Sequence, residues 1–201
     1  MSSSLSLYLL DATATRALIG CRDDRLLDVL RERFAHDLTR DDEYHRDAIE
    51  QGAPTAEAAL HAVVHGGPFS KDRSHAFPYG YAYERLCSFG GAFLPNDWFT
   101  PHRGDWLSVV DQGLGALGIT AVSVESFGHG GPPAPLPSSF TPACGEWTPD
   151  DIARALEQYE AAGSHRTPPQ DPEVAQAVAQ CLGWMRRAKA LPGFGVVGFR
   201  S

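Results

Sequence analysis

Two histidines four residues apart, His61 and His65, share one face of any helix that carries them. That spacing suits two ligands of a zinc ion. The residues between them are Ala62, Val63 and Val64, so no glutamate follows His61 to act as a base. Two ligands on one helix make no site without a third, and neither a metal nor a cofactor is expected. A histidine near a helix C-terminus has a plainer use, because positive charge suits the dipole there. A richer constellation lies in Tyr79-Gly80-Tyr81-Ala82-Tyr83-Glu84-Arg85 and Thr100-Pro101-His102-Arg103-Gly104-Asp105-Trp106. In a pocket built from these stretches, aromatic walls would bury a ligand, Arg85 or Arg103 would bind an anion, and His102 would act as acid or base. The candidate ligand contacts are Tyr79, Tyr81, Glu84, His102 and Arg103. The competing reading is that the rings fill a core between helices while the charged groups make local pairs and caps.

For nucleophilic chemistry the candidates are Cys87 and Cys144. Cys144 ends a proline-rich stretch just before a helix start, where a thiol would be exposed and its pKa lowered. It would need a base, and His129 or His102 would serve only if the fold brought one near. There is no G-x-S-x-G and no P-loop. Gly113, Gly115 and Gly118 match the dinucleotide pattern letter by letter, but they end a predicted helix and precede a strand, the reverse of the order required. No catalytic residue is assigned on this evidence.

The elements that must hold these residues follow from periodicity and caps. Leu5 to Leu10 suits a strand, and Asp11 can cap a helix over residues 12–19. Leu26, Leu27, Leu30, Phe34 and Leu38 recur at helical period and define a buried stripe. The spacing predicts helices over 56–65, 81–87 and 106–117, and two more opened by Thr148-Pro149 and Asp171-Pro172. Strands are expected at 119–124 and 194–199. Residues 126–147 carry five prolines and read as one long loop, a length that is usually functional or mobile. From Phe69 to Phe99 there are nine of the chain's 20 aromatic residues, where even usage would place about three. With no strict βαβ alternation, the expected fold class is α+β, a helix-rich single domain of 201 residues with a small sheet.

Charge bounds the partners. The formal net charge is −8, which argues against phosphate backbones and anionic membranes. No stretch of about 18 apolar residues offers a membrane span, and the opening lacks the basic and apolar regions of a signal peptide. Four cysteines without a C-x-x-C pair read as buried small side chains in a reducing cytosol, with no structural disulfide. Ten acidic and six basic residues lie between Arg22 and Glu50, which reads either as an acidic docking face or as a solvated helix laced with ion pairs.

The opening Leu7-Tyr8-Leu9-Leu10, followed by a helix and Leu26-Leu27-Asp28-Val29-Leu30, is similar to the YfbM-like family of bacterial cytosolic proteins of unknown function. Leu60-His61-Ala62-Val63-Val64-His65-Gly66 resembles that family's Leu-His-x-x-Leu-x-x-Gly helix end, and Tyr79-Gly80-Tyr81 a Gly-Tyr-Gly-like segment. The likeness covers about the first 90 residues. It implies an α+β domain in the cytoplasm, with His61 at the position of the family's helix histidine and no catalytic residue to carry over. Two functions are then expected. The first is an acidic binding module of inhibitor or immunity type for a basic protein. The alternative is a small-molecule enzyme or ligand-binding protein with its pocket at residues 77–106.

Overall fold

A computed structural model describes residues 2–201. In chain order its strands and α-helices are β1 (Ser2–Ser3), β2 (Leu5–Leu10), α1 (Ala12–Arg16), α2 (Asp24–Tyr44), α3 (Arg46–Glu50), α4 (Ala56–His65), α5 (Phe77–Gly90), β3 (Ala92–Phe93), β4 (His102–Arg103), α6 (Trp106–Ala116), β5 (Ala143–Trp147), α7 (Pro149–Ala162), α8 (Pro172–Lys189) and β6 (Gly195–Arg200). The protein is α+β and rich in helix, with a small antiparallel sheet. The chain gathers into two compact units. The first holds the residues up to Ala12, Gly91–Gly130 and Cys144–Ser201; the second holds Thr13–Gly90 and Gly131–Ala143. Among the described residues no helix is long and apolar enough to cross a membrane.

In the first unit β2 pairs antiparallel with β6, from Leu5 opposite Arg200 to Leu10 opposite Gly195, and with β3 on its other side. Leu5, Leu7 and Leu9 join Phe99, Val110, Trp147 and Trp184 in one apolar core. Gly198 sits mid-strand because the Phe127 ring lies where its Cβ would be, 2.7 Å away. Helix α7 starts at a capping box, with the Thr148 side chain on the Asp151 amide and the Asp151 carboxylate on the Thr148 amide. Helix α8 is capped by Asp171 and buries Val178, Cys181, Leu182 and Met185.

Two expectations fail here. Residues 119–124 do not form a strand, although Ile119, Val122 and Val124 are buried. The donors a ladder would need are held by side chains. Gln158 accepts from the amides of Thr120 and Ala121, and Asp111 accepts from those of Val124 and Glu125. The expected loop over 126–147 instead ends in β5, with a single 3₁₀ turn at Glu125–Gly128 before it. Strand β5 is poor in β-branched residues, so local preference does not announce it. It is held from outside: the Trp147 indole donates to the Ser123 carbonyl and the Cys144 amide to that of Gly130.

In the second unit α2, capped by Asp23, buries Leu27, Leu30, Phe34 and Leu38. Leu26, placed in the stripe from sequence, is only half-buried, because the stripe's axis runs through Leu27 and leaves its neighbour on the shoulder. Helix α4 packs against α2 and α5. It begins at the Thr55 cap and stops at Gly66, whose φ of 78° is left-handed. Helix α5 runs well beyond the expected 81–87, taking in glycines that read as turn signals. Gly80 is inside the helix because Pro142 packs against it, with Cδ only 3.0 Å from where a Cβ would stand.

Candidate functional site

The sequence-selected residues divide between the units. Tyr79, Tyr81 and Glu84 lie on α5 in the second unit, His102 and Arg103 on β4 in the first. Tyr79 is buried; its hydroxyl accepts the Ser70 amide at 2.8 Å and its ring meets Phe69 edge-on. It is a core residue that ties down the start of the 70–76 segment. Glu84 is buried on the same helix, and Arg103 is exposed. His102 is buried at 5% exposure, with Nδ1 2.8 Å from the Phe99 carbonyl and Nε2 without a partner among the described residues. Burial holds its pKa below the usual range, the Phe99 bond opposing and nearby Arg200 adding to the effect. Neither His102 nor Arg103 lines the clefts that Tyr81 faces.

Of the five, Tyr81 lines a cleft of about 330 Å³ together with His45, Arg73, Phe77 and Phe140. A second cleft of about 440 Å³ shares Arg73, Ser139 and Phe140 with it and adds Ser70, Lys71 and Asp72. Behind Tyr81 a hollow of only about 10 Å³ has Asp41, Asp42 and Arg85 in its lining. That is room for one water at most. Its charged groups are already engaged. Arg85 Nη2 donates to Asp41 Oδ2 at 2.6 Å, and Asp42 accepts the Ala56 amide at the start of α4.

The wall between hollow and cleft is aromatic. His45 packs on Phe77 at 4.4 Å between ring centroids and on Tyr81 at 5.7 Å. Burial lowers the pKa of His45 despite Asp41 and Asp42, so at neutral pH its ring is uncharged. Burial, helped by the charges of Glu84, Asp41 and Tyr44, pushes the Tyr81 phenol up to about 12. Tyr81 is therefore a hydrogen-bond donor here and no base. His45 escaped the sequence reading because it follows Asp41-Asp42-Glu43, which read as solvated helix surface. Only the turn from α2 into α3 brings it to α5.

The chain belongs to the DUF7691 family. That family's model, described as a domain of unknown function, matches residues 1–201. No curated protein and no solved structure matches the chain.

The remaining sequence candidates are placed as follows. Cys144 is buried in β5 rather than exposed at a loop end, and Cys87 is buried in α5; of the four free thiols only Cys21 is exposed, against expectation. His61 and His65 stack at 4.3 Å, and His65 Nε2 lies 3.2 Å from Asp24. Among the described residues no three His, Cys, Asp or Glu side chains cluster to hold a metal ion. The acid-rich α2 is laced with ion pairs, Arg31 with Asp28 and Glu57, Arg40 with Asp37.

Proposed function

We propose that this protein binds a small molecule in the clefts of its second unit, at the aromatic face of α5. One observation carries the reading: two clefts of about 440 and 330 Å³ share Arg73, Ser139 and Phe140. Volumes of this order suit small ligands, and a mostly apolar wall with a few placed polar groups is their usual lining. Binding is favoured over catalysis by the state of the hydroxyls. Ser139 Oγ donates to the Thr141 carbonyl, and Ser74 Oγ donates to Asp72, whose carboxyl the Ser74 hydrogen bonds hold below the usual carboxylate range and so make a weak base. Ion pairs with the interleaved cations of α2 take up part of its acidic charge, which weakens, without removing, the case for an acidic docking face for a basic protein partner. A fragment library titrated into ¹⁵N-labelled protein tests the reading. Hits are expected to shift the amides of Ser70–Ser74, Phe77–Tyr81 and Ser138–Thr141. Hits that scatter over the surface, or that gather in the first unit, would overturn it.

A further inference from the structure

The geometry points to a planar aromatic anion as the occupant of these clefts, an inference that rests on the clefts being the binding site. Lys71 and Arg73 are both exposed and both line the larger cleft. Neither has an ion pair or a side-chain hydrogen bond with any described residue. Other arginines of the unit are engaged, Arg31 with Glu57, Arg40 with Asp37, Arg85 with Asp41, and Arg33 against the rings of Phe34 and Phe89, whereas the exposed side chains of Arg22, Arg25 and Arg46 stand alone among the described residues but line neither cleft. Asp72 stands between the two free cations and also lines the cleft. Its Oδ1 is taken by the amide and hydroxyl of Ser74, at 2.8 and 2.7 Å, where it caps the turn at Arg73–His75. The local balance is thus one net positive charge with many N–H donors, in a chain of net charge −8. Such a pair recognises a small anion through charge-assisted hydrogen bonds.

Arg73 extends this site toward the rings, because it also lines the cleft of His45, Phe77 and Tyr81. Phe140 lines the same cleft, and its side chain is wholly exposed, at 101%. A large ring left in water beside an aromatic wall offers a stacking face to a planar guest. His45 is neutral and Tyr81 keeps its proton at neutral pH, so the rings of that wall carry no charge; the Asp41 and Asp42 carboxylates line the small hollow and not this cleft. One ligand with its anionic group at Lys71 and Arg73 and its ring against Phe140 uses every feature of the cleft.

The test uses the full chain with phenyl phosphate, inorganic phosphate and phenol, each titrated at low salt by calorimetry and by ¹⁵N amide shifts. Phenyl phosphate is expected to bind at Ser70–Ser74 and Ser138–Thr141, about tenfold or more tighter than either fragment. The pair Lys71→Ala with Arg73→Ala should weaken it about tenfold or more, and Phe140→Ala several-fold. All three side chains are exposed, so the variants should melt as the wild type does. Phenol binding in the cleft as tightly as phenyl phosphate, or a double variant with unchanged affinity, overturns the anion while the cleft reading stands. Inorganic phosphate binding as tightly as phenyl phosphate overturns the ring. Silence of the cleft toward all three probes and toward the fragment library brings down both readings.

Discussion

Replacing Asp41 with asparagine removes the counter-ion of a guanidinium that the fold keeps largely from water. The pair is close, at 2.6 Å, and the Arg85 and Asp41 side chains retain only 13% and 19% exposure. Burial works against the charge on Arg85. Asp41, through its charge and hydrogen bond, and Glu84 and Asp37 more weakly, more than offset this and hold the pKa above its ordinary value. Arginine cannot shed its proton, so in Asp41→Asn the charge stays and loses its nearest partner. Its Nε already lacks a hydrogen bond among the described residues, and its guanidinium also lies over the Phe34 ring at 5.8 Å. Removing one member of a fully buried pair costs about 3–5 kcal/mol. The residual exposure of both groups and the fields of Glu84 and Asp37 reduce this to about 2–3 kcal/mol. At about 2–4 °C per kcal/mol for a chain of this length, Tm should fall by about 5–10 °C. Thermal and urea unfolding of the wild type, Asp41→Asn, Arg85→Met and the double variant gives the coupling directly, expected above about 1 kcal/mol. The exposed pair of Asp28 and Arg31 is the control, because Asp28 is 77% exposed. If Asp41→Asn costs no more than Asp28→Asn, or the coupling is below about 0.5 kcal/mol, the pair does not hold α2 to α5 and the reasoning is wrong.

Two further outcomes follow from the same structure. His45 and His102 both have pKa values lowered by burial, so the unfolded chain binds more protons; stability is full above about pH 6.5 and declines as pH falls through the folded values. Urea midpoints at pH 7.5, 6.5 and 5.5 should therefore fall in that order, with His102→Asn flattening part of the slope; a midpoint unchanged or higher at pH 5.5 refutes it. Gly80→Ala gains about 1 kcal/mol of helix propensity but sets a methyl 3.0 Å from Pro142, where overpacking costs about 1–3 kcal/mol, so a net loss near 1 kcal/mol is expected in urea unfolding and a gain would show that the 131–143 segment yields freely.

Local chemistry settled much of the scaffold before any tertiary contact was known. The helix starts at Thr148 and Asp171 and the apolar period of α2 through Leu27, Leu30, Phe34 and Leu38 depend on residues within a turn or two of each other, and each appears in the structure as the sequence implies. The α+β class and the strands at Leu5–Leu10 and Gly195–Arg200 were legible for the same reason. What failed was decided at a distance. Residues 119–124 have the side chains of a strand, but Asp111 and Gln158, remote in sequence, take their amides. Gly80 looks like a turn residue until Pro142, 62 positions on, explains its place in a helix. The proposed cleft was half legible. Aromatic crowding near Phe77 and Tyr81 marked one wall, yet sequence adjacency suggested partners at His102 and Arg103, which the chain places in its other unit. In the cleft, that wall faces His45, at the end of a charged helix, Arg73, in the turn at Arg73–His75, and Phe140, in the 131–143 segment. A cleft is a property of surfaces that meet, and residues from three separated segments carry no local signal that they will face each other.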